Sequence, residues 1–466
     1  MKKLFYLAAF IGLVTTGCRK IEVDGGGNNG GGGSGGDTTF ENVILEGRIT
    51  ANRTLKAAYT YKLRGLVYVT NGAILTIEPG TKIVGELNKQ GGLIITRSCK
   101  IIADGTADKP IVFTSESSKP ARGDWSGLVI LGNAPTNANF NGVQGVGAVE
   151  GGINNSDNLG LYGTPSNQGQ NPADNSGILR YVRIEYAGYA FLPDNEINGL
   201  TLAGVGSGTV VDYVQVSYAN DDAIEWFGGT VKCTHLISYK TLDDDFDTDN
   251  GFAGTVQFGI SLRDSSVADI SKVEAFESDN DANGSQLTPQ TKAVFSNMTV
   301  AGPRAELNNV GSSLFNAAAQ IRRNSSISIF NSVIMGWPVG ILIDASKGFP
   351  TDHNIPATLF VQNNIVAGCA VPVKYASSTD SPTGFDAKAW FGLAANNNTV
   401  FATNAEAMIA APFNYASPDF TPLAGSPALT GADFSNAALG ESFTSVDYRG
   451  AVGPGDTWWK GWTKFD

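Results

Sequence analysis

Five segments of the chain share one shape: Val182-Arg183-Ile184-Glu185-Tyr186-Ala187, Val214-Gln215-Val216-Ser217-Tyr218-Ala219, His235-Leu236-Ile237-Ser238-Tyr239-Lys240, Asn297-Met298-Thr299-Val300-Ala301-Gly302 and Asn364-Ile365-Val366-Ala367-Gly368. Each alternates apolar with polar residues, as a half-buried strand does, and stops at a turn. The tyrosines show the period: the interval from Tyr218 to Tyr239 is short, and that from Tyr186 to Tyr218 is half as long again. A base of about twenty residues with insertions of varied size is what a stack of coils gives, each coil lying on the last at about 4.8 Å. The expected fold is therefore all-β: a right-handed parallel β-helix, a solenoid with long loop insertions and a C-terminal cap. Propeller blades would need a longer and more even period. Inward positions should form ladders, expected here as Val216 over Ile237 and Tyr218 over Tyr239.

The rest of the chain fits one repetitive domain better than several unlike ones. No stretch of the 466 residues is rich in the Ala, Leu, Glu and Lys of long helices, whereas strand formers alternate with the turn residues Gly, Asn, Asp and Ser. Short strands are expected at 65–69, 73–77, 82–84, 93–96, 100–103 and 111–114, with turns such as Asn71-Gly72, Glu78-Pro79-Gly80 and Asp104-Gly105-Thr106 between them. The helix should occupy 40–411. Residues 133–176, rich in Asn, Gly and Gln, read as a long loop thrown out of one coil, and ordered loops on rigid scaffolds are where binding surfaces usually lie. The segment 412–466 gathers Trp458, Trp459, Trp462 and Phe465. It is expected to cap the open C-terminal end, since a bare coil edge templates aggregation; a platform for stacking carbohydrate is the alternative.

The N-terminus reads as an address. Met1-Lys2-Lys3 is basic, and 4–14 is apolar but too short to span a bilayer. Thr15-Thr16-Gly17-Cys18 follows and resembles the lipobox of bacterial lipoproteins, although Thr15 stands where Leu is commoner. The resemblance implies a signal peptide over 1–17, cut before Cys18, whose thiol is lipidated. Residues 18–39 are then a tether, since the nearly pure Gly run 25–36 can bury nothing; a dozen such residues span roughly 20 Å. Glu22 and Asp24 resemble the acidic export signal of Bacteroidetes surface lipoproteins, which implies the exposed face of the outer membrane.

Charge and rare residues narrow the chemistry. A net charge of −12 and a pI near 4.8 exclude a nucleic-acid partner, which needs a basic face. Only His235 and His353 are present, leaving almost no material for Ser-His-Asp or multi-His zinc chemistry. Cys99, Cys233 and Cys369 form no CxxC pair and read as small core residues.

The acids, by contrast, are clustered. Asp221 and Asp222 follow one tyrosine-bearing strand; Asp243, Asp244, Asp245, Asp247 and Asp249 follow the next. The interval from Asp222 to Asp244 is close to the coil repeat, so these groups should stack on the same turn of neighbouring coils, with Asn220 and Glu225 beside them. Glu277, Asp279 and Asp281 could join from a longer coil. Carboxylates a strand apart repel unless something neutralises them. A hard cation such as Ca²⁺ on Asp221, Asp222, Asp243, Asp244, Asp245 and Asp247 would do so. So would a retained proton on one of them, which would supply a general acid. Turn capping and pairing with Arg263, Lys240 or Lys272 is the third reading.

Two stretches, 72–81 and 101–114, resemble the opening coils of pectate-lyase-like β-helix proteins. Gly123-Asp124-Trp125-Ser126-Gly127-Leu128-Val129-Ile130-Leu131-Gly132-Asn133-Ala134-Pro135, Asp221 to Thr230, the triple Asp at 243–245 and the tail 458–466 resemble a family of bacterial β-helix lipoproteins. The resemblance covers nearly everything from residue 40 onward and implies fold and location; it brings no reaction. In pectate lyases a basic side chain takes the proton from a Ca²⁺-acidified uronate, which by analogy would cast Arg263 as base near Asp222 and Asp244. Two roles follow. One is a surface binding or accessory module for an extracellular polysaccharide, or a partner of a TonB-dependent transporter. The other is a Ca²⁺-dependent polysaccharide lyase or a glycoside hydrolase. The scarcity of His and the lack of a complete catalytic set favour the first.

Overall fold

The computed structural model describes residues 42–191, 196–305, 311–377 and 384–466; the expected signal peptide, Cys18 and the tether fall outside the described residues. One coil shows the rule. Val210–Ser217 bends at Tyr213 and, after a turn, gives way to Ile224–Phe227. The next coil repeats this as Lys232–Tyr239 and Phe246–Asp249, and the one after as Thr255–Leu262 and Val273–Ser278. Each strand pairs in parallel with its counterparts in the coils before and after, and all join one 26-stranded sheet wound into a solenoid. The architecture is the right-handed parallel β-helix.

The strands of the first coils lie within a residue or two of their expected places, as Ile74–Ile77, Lys82–Gly85, Gly92–Ile95, Lys100–Asp104 and Ile111–Ser115. The 65–69 segment is the end of a longer strand, Thr60–Val69. Alternate residues point into a continuous apolar interior, which holds Val214, Val216, Leu236, Phe246 and Phe276. Cys99, Cys233 and Cys369 are buried free thiols.

The expected ladder is displaced by a single position. Val216 lies opposite Ser238, and Ile237 lies opposite Gln215. The tyrosine spacing misleads because Tyr239 pairs with Ser217; the true step, as from Val214 to Leu236, is longer by a single position than the interval from Tyr218 to Tyr239. Side chains alternate faces along a strand, so this slip moves Ile237 from inside to outside. It is nonetheless fully buried, in a second apolar cluster with Ile260, Leu262, Trp459 and Trp462.

That cluster corrects the expected cap. The tail lies along the side of the stack: Asn331 Nδ2 donates to the Asp433 carbonyl, Asn297 Nδ2 to that of Tyr448 and Gln215 Nε2 to that of Lys464. Tyr239 Oη donates to Asp466 at 2.7 Å. Apolar outward residues there need a cover, and the tail's tryptophans supply it. The interior ends instead against Trp390 and Phe391 of a short helix, Ala387–Phe391.

The corner between the two halves of each long strand is a column of left-handed residues: Tyr181, Tyr213, His235, Phe258, Asn297, Asn331, Asn363 and Asn397, with φ from 48° to 63°. Asn tolerates this conformation. The aromatic members offset its cost by stacking, with ring centroids 4.4 Å apart for Tyr181–Tyr213 and 4.2 Å for Tyr213–His235.

The long insertion is ordered. Within 133–176 four short strands form a small sheet of their own. Val149, Ile153 and Tyr162 dock it on Ile94, Val129, Leu131 and Phe227.

Candidate functional site

One motif recurs on three successive coils: Asp222-Ala223-Ile224-Glu225, Asp244-Asp245-Phe246-Asp247 and Glu274-Ala275-Phe276-Glu277. The apolar third residue, Ile224, Phe246 or Phe276, is buried in the interior. Alternation then turns the fourth residue outward, where Glu225 pairs in register with Asp247 and Asp247 with Glu277. Asp222 and Asp244 are tied by the Asp244 N–H, which donates to Asp222 Oδ1 at 2.8 Å; the Glu274 N–H donates to Asp244 Oδ1 at 2.6 Å. Two columns of carboxylates result, about a strand spacing apart. The motif was legible in the sequence and would have found Glu274, which the interval from Asp222 to Asp244 missed because this coil is longer.

Three groups bring a carboxylate oxygen from each member within 4.8 Å of the others: Asp221, Asp222 and Asp243; Asp222, Glu225 and Asp247; Asp244, Glu274 and Glu277. The structure therefore brings together five of the six expected metal ligands, in more than one cluster. The sixth, Asp245, points the other way. It is fully buried, accepting from Ser238 and Ser261 and pairing with Arg263 at 2.9 Å.

Arg263 is equally buried. Its guanidinium also donates to Thr241 Oγ1 at 2.7 Å and to the carbonyls of Asp243 and Leu242. It holds the acidic turn from beneath and does not line the cleft, so the expectation that it stands with Asp222 and Asp244 as an available base is corrected.

The open part of the lattice is a cleft of about 340 Å³, lined by Glu150, Glu196, Asn198, Asn220, Asp221, Asp222, Glu225, Asp243, Asp269, Ile270 and Ser271. Glu150 comes from the long insertion, and Asp269 from the loop before Val273–Ser278. Glu150, Glu196 and Asp269 escaped the sequence reading, because loops of unequal length carry them and no period marks them. Among the described lining residues there is no Lys, Arg or His.

Burial and mutual repulsion keep protons on these acids. Burial first, then Glu196 and Glu150, pushes Asp221 up to about 7. Burial and then Asp221 push Asp243 up to about 8. Asp222 and Glu225 are raised well above the usual carboxylate range by burial, helped by Asp221 and Asp247 respectively. Asp243 Oδ1 and Asp247 Oδ1 are buried without a hydrogen-bond partner. An all-oxygen donor set with orphaned oxygens fits a hard cation such as Ca²⁺, which accepts six to eight oxygens in irregular geometry. The lattice is closed on one side by Arg322, which pairs with Glu277 and, at 2.9 Å, with Asp279; Arg323 also pairs with Asp279.

A family model described as a pectate-lyase-like beta helix domain matches residues 47–410. A comparison with curated proteins finds no match.

Proposed function

The chain belongs to the pectate-lyase-like β-helix family, and from that premise we propose that it is a binding module held at the bacterial surface by lipidated Cys18. Its acidic cleft takes Ca²⁺ and, through the ion, the carboxylates of an extracellular acidic polysaccharide. The observation that carries this reading is the cleft lining, in which the charged groups among the described residues are all carboxyls. Once ionised, such a surface repels an anionic glycan and needs a cation between them; while protonated, it offers the glycan no positive charge. Asp221, Asp222, Glu225, Asp243 and Asp247 would supply the protein's oxygens. Ca²⁺, when bound, supplies the positive charge that the glycan carboxylate meets.

The test is calorimetry of the full chain against polygalacturonate and alginate, with a neutral glucan as control. Binding to an acidic polymer is expected only with Ca²⁺ and only when Asp221 and Asp243 are intact; unchanged binding by the double Asn variant would refute it. For the anchor, Cys18→Ala is expected to move the protein from the membrane fraction to the soluble one, and unchanged detergent partitioning would end that part of the proposal.

A hydrolytic reading is favoured by one observation. Asp221 and Asp243, pushed up to about 7 and about 8, have oxygens within 4.8 Å of one another, and a carboxyl that keeps its proton near neutral pH can act as a general acid. New reducing ends in the same polysaccharide mixtures, lost on Asp221→Asn, would replace the binding reading with this one. A lyase using Arg263 as base has no such support, since that side chain is fully buried and paired.

A further inference from the structure

The third carboxylate group differs in kind from the cleft. Asp244 and Glu274 are 3% and 1% exposed, and Asp244, Glu274 and Glu277 are all absent from the cleft lining. Asp244 belongs to one coil and the two glutamates to the next. Glu274 Oε1 accepts from the Asn316 side chain, and Asp244 Oδ1 from the Glu274 N–H. Glu274 Oε2 meets no N–H or hydroxyl donor; besides Asn316, the group that reaches the Glu274 side chain is the Asp244 carboxyl. A buried carboxylate oxygen left bare costs about 1–3 kcal/mol or more, so such atoms are normally engaged. Its neighbours within the group are carboxyl oxygens, which cannot donate when ionised.

Only a proton or a cation can fill that place. Arg322 neutralises part of the charge on Glu277, but it is shared with Asp279; its charge is also felt at Glu274, yet it forms no ion pair with Asp244 or Glu274. We propose that Asp244, Glu274 and Glu277 hold a largely dehydrated Ca²⁺ ion that ties two neighbouring coils together. This site is separate from the cleft and does not rest on the glycan-binding reading. Ca²⁺ suits it better than Mg²⁺, which keeps several waters in near-octahedral array and has little room for them beside side chains so buried. The ion displaces protons, since burial and then Glu277 push Glu274 up to about 8. Affinity therefore rises with pH through that region.

The test uses the full chain in detergent, loaded with Ca²⁺ and dialysed exhaustively against metal-free buffer. Retained calcium is measured by elemental analysis. About one ion per chain is expected to survive in the wild type and in Asp221→Asn, and none in Glu274→Gln. Glu274→Gln removes a buried charge and should fold without metal. No retained ion in the wild type, or wild-type retention in Glu274→Gln, overturns the proposal. So does loss of the ion in Asp221→Asn alone, which would place the tight site in the cleft. A measurement on the wild type guards against a variant that fails to fold: Tb³⁺ bound after the same dialysis should keep about two waters or fewer by its luminescence lifetimes in H₂O and D₂O. A heavily hydrated ion would refute the buried site. Loss of Ca²⁺-dependent glycan binding with the retained ion intact would count against the cleft reading only.

Discussion

Two outward faces of the same coils have taken opposite courses. On the long strands Ile237, Ile260 and Leu262 turn outward and are sealed beneath Trp459 and Trp462 of the C-terminal tail. On the short strands Glu225, Asp247 and Glu277 turn outward, and the 133–176 insertion brings Val149, Glu150 and Ile153 beside Glu225. One continuous interior, largely apolar, runs behind both faces. In a β-helix the inward positions specify the coil, and the outward positions are free to carry packing on one side and charge on the other. The difference teaches where to look for function: on the face whose outward column the chain leaves to polar groups that cannot satisfy one another.

The sharpest way to break this contrast is Ile237→Asp, which puts an unpaired charge under the tail. It is expected to cost about 4 kcal/mol, read as a lowered midpoint in thermal or urea unfolding. Ile44→Asp, at a residue 45% exposed, should unfold with the wild type. Equal behaviour of the two variants would mean that the tail does not seal that face.

The acidic face should respond to pH with the opposite sign to ordinary surface carboxylates. Asp221 and Asp243 rise from 3.8 to about 7 and about 8, and Glu274 from 4.5 to about 8. The folded chain therefore holds protons that the unfolded chain has lost. These groups' contribution to stability is full below about pH 4 and is lost as pH rises through 7 to 8. Without Ca²⁺ each group that keeps its proton only in the folded chain costs about 1.4 kcal/mol per pH unit, seen as a falling Tm between pH 5 and 8; Ca²⁺ should abolish the fall. A Tm indifferent to pH over that range, with chelator present, would show that the carboxyls ionise freely.

Arg322→Gln sharpens the comparison from the edge of the lattice. It leaves Glu277 and Asp279 without their guanidinium, although Arg323 still reaches Asp279. A cost of about 2 kcal/mol at pH 8 is expected, shrinking at pH 5 where protons replace the lost charge. Equal loss at both pH values would point to packing by the Arg stem instead.

The smallest effect lies at the corner beside the covered face. Asn363 sits at φ 60°, and its Oδ1 accepts from Asn397 Nδ2 at 3.0 Å. Asn363→Ala loses both the hydrogen bond and the tolerance for this conformation, about 1–2 kcal/mol in an unfolding titration. Asn363→Gly should lose less, because glycine adopts the angle without strain. If Gly proves as costly as Ala, the side-chain ladder outweighs the backbone angle.

The amino-acid sequence by itself determined the coil. Alternation within Val214 to Ser217 or Phe246 to Asp249, and the turns between such strands, are local properties that need no distant partner to be read. It also contained the site's skeleton, the acid-x-apolar-acid motif repeated at Asp222, Asp244 and Glu274. What only the tertiary structure decided depends on single-residue phase and on loop paths. The step from Val214 to Leu236, longer by a single position than that from Tyr218 to Tyr239, turned Ile237 outward. Asp244 faces its carboxylate neighbours while adjacent Asp245 points inward to Arg263. Glu150, Glu196 and Asp269 reach the cleft through connections with no period, and the tail lies along the stack because an apolar face of the folded coils was there to receive it. Periodic order is written in neighbouring residues; the placement of what interrupts it is set by contacts between residues far apart in the chain, which exist only once the coils have stacked.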